Sequence, residues 1–222
     1  MRPLFFAALS LTFVSAFAIA GPCTPGPGIW NEGDLGQGDA GKKPNTANVT
    51  TGVGPLSTVC GNLGNVSNGA DMYEIMITGT TFSALTHQRG GSTLNPALYL
   101  FDVSGSGLYA NNDISGVNNQ AQFVNVAVTP GLYFLAIASD NNEPQNPANK
   151  NLFGEISGTT GLILVDSKLK NQSIGGWTDA GNSSGAYYIT LDGATFAQTP
   201  EPAAFGLFGA GLLALAYRRF RR

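Results

Sequence analysis

Histidine and cysteine are nearly missing from this chain. One histidine, His87, and two cysteines, Cys23 and Cys60, occur among 222 residues. A zinc site of the usual Cys/His kind is therefore excluded. A Ser–His–Asp triad has only one candidate imidazole, in the polar stretch Thr86-His87-Gln88-Arg89-Gly90-Gly91, and no Gly-x-Ser-x-Gly elbow accompanies it. Ser104-Gly105-Ser106-Gly107 resembles such an elbow superficially and reads as a hairpin turn. Charge is scarce as well, at 11%. Five of the eleven basic residues, Arg2, Arg218, Arg219, Arg221 and Arg222, lie at the two ends, which leaves the body with thirteen acids against six bases. Phosphate binding needs clustered Lys and Arg, so nucleic acid is excluded as a partner. The acidity suits cation binding, and it suits the solubility of a secreted domain equally well. No long stretch of the body has a helical period, and no period of about 20–50 residues marks a repeat array.

What is present is sharpest at the ends. Arg2 opens the chain, Leu4 to Phe17 is almost wholly apolar, and Ala18-Ile19-Ala20 is a small-x-small site. This is the layout of a secretory signal peptide over residues 1–20, with cleavage leaving Gly21. Pro22 before Cys23 excludes a lipobox. At the other end, Pro200-Glu201-Pro202 precedes an apolar run over 203–217 and then Arg218-Arg219-Phe220-Arg221-Arg222. As a helix the run is roughly 22 Å long, short for a hydrocarbon core of about 30 Å but apolar enough to insert. The arginines would stay cytoplasmic, which places the body outside the inner membrane. Pro202 keeps its predecessor out of the α region, so the motif is extended and accessible at the membrane face. On these residues, 200–222 resemble the PEP-CTERM sorting signal of Gram-negative bacteria. The resemblance implies exosortase as processing partner and the inner membrane as the stop before processing.

Between the ends, roughly 180 residues are enough for one domain with a full core. Thirty glycines and frequent Asn, Asp and Pro split the body into short β-type runs, the pattern of an all-β antiparallel sandwich. Residues 21–69 are a Gly/Pro/Asn-rich lead-in packed on the sandwich, with short strands near 48–51 and 56–59. The core spans 70–192, and 193–199 form a stalk. Met72 to Ile77 alternates, with Tyr73, Ile75 and Ile77 on one face. Further strands are expected at 81–86, 97–103, 107–110, 123–128, 132–138, 161–165 and 187–191, with 123–128 and 132–138 joined as a hairpin around Pro130-Gly131, and residues 139–155 read as an exposed polar loop. Cys23 and Cys60, an even pair in an exported chain, are expected to join as a disulfide. Four Asn-x-Ser/Thr sequons, at Asn48, Asn65, Asn171 and Asn182, reflect high Asn, Ser and Thr content.

Asp71-x-Tyr73, Leu98-Tyr99-Leu100-Phe101-Asp102, Asn111-Asn112-Asp113 and Pro130-Gly131-Leu132-Tyr133-Phe134 occur in the order seen in bacterial pre-peptidase C-terminal domains. Upstream, Glu32, Asp34, Asp39-Ala40-Gly41 and Gly54-Pro55-Leu56 fit the lead-in of PEP-CTERM relatives of that domain. Over roughly 30–192 the body thus resembles that type. The resemblance implies a jelly-roll-like sandwich without catalysis of its own, and a secretion-linked, carbohydrate- or matrix-associated role.

Two sets of residues invite ligands. Calcium wants six to eight oxygens on flexible loops, and Asp102, Asn111, Asp113 and Asp140 are the candidates, beside the turn chemistry that also favours Asp and Asn there. No EF-hand pattern is present. Sugar rings stack on exposed aromatics, and Trp177, flanked by loop-like residues, and Trp30 are the candidates, with Tyr99 and Tyr109 behind them. Aromatics in a sandwich are usually core, so a free ring face on one sheet is the observation that separates a glycan-binding module from a purely structural one. No carboxylate pair stands out for glycoside hydrolysis. The reading is an exported, non-enzymatic surface or matrix protein, structural or adhesive in exopolysaccharide or biofilm. The alternative is a carbohydrate-binding module, with or without calcium.

Overall fold

The computed structural model describes residues 23–64 and 69–198. These residues form an all-β sandwich. One sheet has five strands in the order β1 (Ile29–Asn31), β3 (Thr58–Leu63), β13 (Gly185–Asp192), β5 (Thr81–Gln88) and β8 (Gln122–Ala127). The other runs β11 (Ile163–Leu164), β7 (Gly107–Asn111), β6 (Pro96–Asp102), β9 (Gly131–Ser139), β4 (Ala70–Ile77) and β14 (Ala194–Phe196), with β2 (Asn48–Val49) also on β4. A small ribbon of β10 (Pro144–Gln145) and β12 (Gly176–Trp177) lies apart.

Alternation decides which side chains enter the core. Tyr73, Ile75 and Ile77 of β4 point between the sheets, as their spacing predicts, and meet Leu98, Leu100, Leu135, Ile137, Val59, Phe82, Tyr187 and Ile189. Strands β6 and β9 are buried on both faces. Their other side carries Ala97, Tyr99, Phe101, Phe134, Ala136 and Ala138 into a second core. The segment expected as an exposed loop at 139–155, with its continuation to Trp177, supplies the cover: Leu152, Phe153, Ile156, Ile174 and Trp177 pack there. The physical reason lies in β6, whose unbroken Ala97–Phe101 run needs apolar partners on both sides. The cover is pinned through Glu143, itself 3% exposed, which accepts from the Ile156 N–H at 2.7 Å and from the Asn151 amide.

Three further expectations change. The pairing is not purely antiparallel, because the lead-in adds β1 parallel to β3 and β2 parallel to β4. The lead-in also gives β3 itself, a strand inside the five-stranded sheet paired with β13. The stalk at 193–199 is not free over its described part. Gly193, at φ +87°, turns the chain from one sheet to the other, and β14 then pairs with β4. The expected disulfide is present and ties Cys23 to Cys60 of β3. The signal peptide residues Ala18, Ala20 and Gly21, the motif Pro200, Glu201 and Pro202, the 203–217 run and Arg218 and Arg219 lie outside the described residues.

Candidate functional site

Two places concentrate chemistry. The first is buried at one end of the sandwich. Tyr187 of β13 points inward across the gap between the sheets. Its hydroxyl donates to Asp71 Oδ2 at 2.6 Å and stands 2.7 Å from the Tyr73 hydroxyl. Gly61, paired with Tyr187, makes room: a Cβ there would collide with both hydroxyls. The lead-in brings Glu32 and Asp39 to the same point, and the oxygens of Glu32, Asp39 and Asp71 lie within 4.8 Å of one another. Glu32 accepts from the Ala40 N–H at 2.8 Å and from the Asn62 N–H at 2.9 Å, so it clamps the lead-in to β3.

Three carboxyls at this spacing cannot all ionise cheaply. Burial pushes Glu32 up to about 7, its two N–H partners pull it back, and the neighbouring Asp39 raises it again. Burial also lifts Asp71 well above the usual carboxylate range, with Glu32 adding to it and the Tyr187 bond opposing. Asp71 Oδ1 is buried without a hydrogen-bond partner. Among the described residues, oxygens so disposed could hold a hard cation, and protons on the raised carboxyls would offset the charge equally well.

The second place is open to solvent. His87 of β5 and Tyr188 of β13 are cross-strand partners on the outer face of the five-stranded sheet. Their rings stack at 4.4 Å with 9° between planes. His87 is therefore the penultimate residue of a strand, inside the ladder, and not part of the polar loop its neighbours suggest. Gln88, Val117, Asn118, Asn119 and Gln120 wall the pair into a cleft of about 450 Å³. The turn that makes this wall is held locally. Asn118 Oδ1 accepts from the Gln120 N–H, and Gln120 Oε1 accepts from the Thr86 hydroxyl.

The candidate calcium residues do not converge as a set. Asp102 ends β6 beside Tyr133, whereas Asp140 follows the far end of β9, a strand length away. Asp102 Oδ1 is occupied by its own turn, accepting from the N–H groups of Ser104 and Ser106 and from the Ser104 hydroxyl. Asn111 bridges the Gly161 carbonyl and the Gln122 N–H. Asp113 and Asp140 do come together: burial raises Asp113, and the Asp140 charge raises it further.

The tryptophans overturn the stacking expectation. Trp177 is 6% exposed, edge-on to Tyr99 at 5.3 Å, with its Nε1–H donating to the Lys42 carbonyl. Trp30 is 2% exposed, and Tyr99 is fully buried. Trp177 and Tyr99 fill the second core, which the loop-like flanks of Trp177 concealed, and Trp30 packs in the core between the sheets. Tyr109 is half-buried, with its hydroxyl donating to the Ala127 carbonyl.

Comparison with known proteins bears chiefly on the tail. A family model described as the PEP-CTERM protein-sorting motif matches residues 198–222. The chain ends in a PEP-CTERM sorting motif. The motif marks an exported protein destined, through exosortase, for the cell surface or beyond. No curated protein matches the chain. Among solved structures, a pre-peptidase C-terminal domain of a collagenase from Bacillus anthracis, determined at 1.0 Å, is similar over 65% of this chain and 93% of that one, at 12% identity and a TM-score of 0.36.

Sequence reasoning saw Glu32, Asp39 and Asp71 as pieces of a motif and missed that they meet. The usable signal was an acid, Asp71, two residues before a core tyrosine on an inward face. The signal for the cleft was Tyr187-Tyr188, an adjacent pair that a strand must split between inside and outside.

Proposed function

We propose that this is an exported, non-enzymatic surface or extracellular-matrix protein, sorted by exosortase and structural or adhesive in exopolysaccharide. The observation that carries the reading is the PEP-CTERM motif at 198–222. In this reading residues 1–20 are removed as a signal peptide, leaving Gly21. The apolar 203–217 run holds the precursor in the inner membrane until exosortase cuts near Pro200-Glu201-Pro202. The body suits a life outside the cell: the Cys23–Cys60 disulfide ties the start of the lead-in to a sheet strand, and such bonds persist in oxidising compartments. Intact mass of the protein from membrane and extracellular fractions tests the reading. A species beginning at Gly21 and ending near Pro200–Pro202 is expected, and replacing Pro200-Glu201-Pro202 by alanines should leave an uncut, membrane-bound precursor. Retention of Arg222 in every fraction would reduce the tail to a plain anchor.

The second reading, a carbohydrate-binding module, is favoured by one observation. The His87–Tyr188 pair is a partly exposed aromatic surface on an outer sheet face, beside a cleft walled by amides.

A further inference from the structure

We propose that the cleft beside Tyr188 binds an uncharged glycan, with the stacked Tyr188–His87 pair as its platform and the amides of Asn118, Asn119 and Gln120 as its hydrogen-bonding wall. The inference rests on the surface-matrix reading, which places the body among polysaccharides, and it names the ligand class of the second reading. A sugar ring offers an apolar C–H face and a rim of hydroxyls. Recognition needs a flat π-surface for the first and neutral groups that both donate and accept for the second.

The cleft supplies both. Tyr188 and His87 are each held by the sheet ladder, so the platform is set before any ligand arrives. Burial lowers His87 below its ordinary value, and the ring is neutral at neutral pH. The amide wall is anchored by its oxygens and keeps its nitrogens for a ligand. Asn118 Oδ1 and Gln120 Oε1 are taken by Gln120 N–H and Thr86 Oγ1, while the NH₂ groups of Asn118 and Gln120 have no partner among the described residues. Asn119 is exposed and makes no hydrogen bond among the described residues, so its amide can both donate and accept. Together with the oriented NH₂ groups of Asn118 and Gln120 it matches the mixed demands of adjacent hydroxyls. Val117, 96% exposed at the rim, adds an apolar contact.

Charge selects among glycans. None of the seven lining residues is charged at neutral pH, and the body around them carries thirteen acids against six bases. A uronate-bearing polymer would meet a repulsive overall field and no cation among the lining residues. An uncharged polymer meets neither obstacle.

The test is affinity electrophoresis of the full-length protein in detergent, through gels containing dextran, galactomannan, xyloglucan or alginate. Retardation by at least one neutral polymer, insensitive to salt, is expected. Tyr188→Phe keeps the platform and should bind within about twofold of the parent, while Tyr188→Ala should lose about tenfold, the worth of one aromatic stack. Asn119→Ala is the companion variant. Its side chain is exposed and makes no hydrogen bond among the described residues, so folding is untouched, and a loss of roughly three- to tenfold is expected for one missing amide. If no neutral polymer retards the protein, the proposal is overturned. It is overturned equally if both alanine variants migrate like the parent, if alginate alone retards it, or if the cleft captures a peptide library in place of the glycans. Processing at the tail is read separately in cells, so loss of glycan binding leaves the sorting reading standing.

Discussion

Raising the pH from about 4.5 to about 8 should weaken this sandwich by roughly 3 kcal/mol through Glu32 alone. Glu32 rises from 4.5 to about 7 in the folded chain, chiefly because it is buried. Between those values the folded protein keeps a proton that the unfolded chain has released. Stability is therefore fully present below the unfolded value, falls as pH climbs through the folded one, and then levels. Asp71, raised in the same direction, prolongs the decline. His87 acts in the opposite sense, since burial lowers it, but it lies at the surface and contributes less. For a domain of this size the Glu32 effect corresponds to a melting temperature lower by about 6–12 °C at the alkaline end. Glu32→Gln isolates the cause. Glutamine keeps one carbonyl for the Ala40 or Asn62 N–H and turns an NH₂ toward the other, costing about 1–3 kcal/mol at every pH. It cannot ionise, so the variant should be the weaker protein in acid and should draw level with the parent near pH 8. Urea denaturation across the range reads both curves. Parallel curves for parent and variant would refute the reasoning, because the slope would then come from elsewhere.

Tyr187→Phe removes the hydroxyl that donates to Asp71 and leaves that buried carboxyl with neither oxygen hydrogen-bonded by a described side chain; a loss of about 1–3 kcal/mol in urea denaturation is expected. Trp177→Ala empties a site against Tyr99 and frees the Lys42 carbonyl, and should cost about 3–5 kcal/mol. The loss should appear first as amide hydrogen exchange in residues 140–179 and only later in the strands between the sheets. Reducing Cys23–Cys60, or Cys23→Ser, opens a loop spanning 37 residues and should lower stability by about 4 kcal/mol on the chain-entropy account; an unchanged melting temperature would show the lead-in held by its strands alone.

Local features of the sequence settled a good deal by themselves. Alternation in Met72–Ile77 set the inward face of β4, because side chains on a strand change sides at every residue. An even cysteine pair in an exported chain named its own disulfide. Pro130-Gly131 marked the start of β9, but the hairpin expected there does not form, because β8 pairs with β5 in one sheet and β9 with β4 and β6 in the other. The sorting motif was legible in the sequence, since it is read by another enzyme as linear chemistry. Tertiary structure decided the rest. Trp177 among glycines reads as exposed until the two-sided burial of β6 is known; only then does the polar segment from 139 become the cover of a second core. Glu32, Asp39 and Asp71 are up to 39 residues apart, and their convergence follows from β1 pairing with β3 while β4 lies in the opposite sheet. His87 and Tyr188, 101 residues apart, meet because β5 and β13 are neighbours in that register. Periodicity fixes which way a side chain points. It carries no information on what stands opposite, which long-range strand pairing alone supplies.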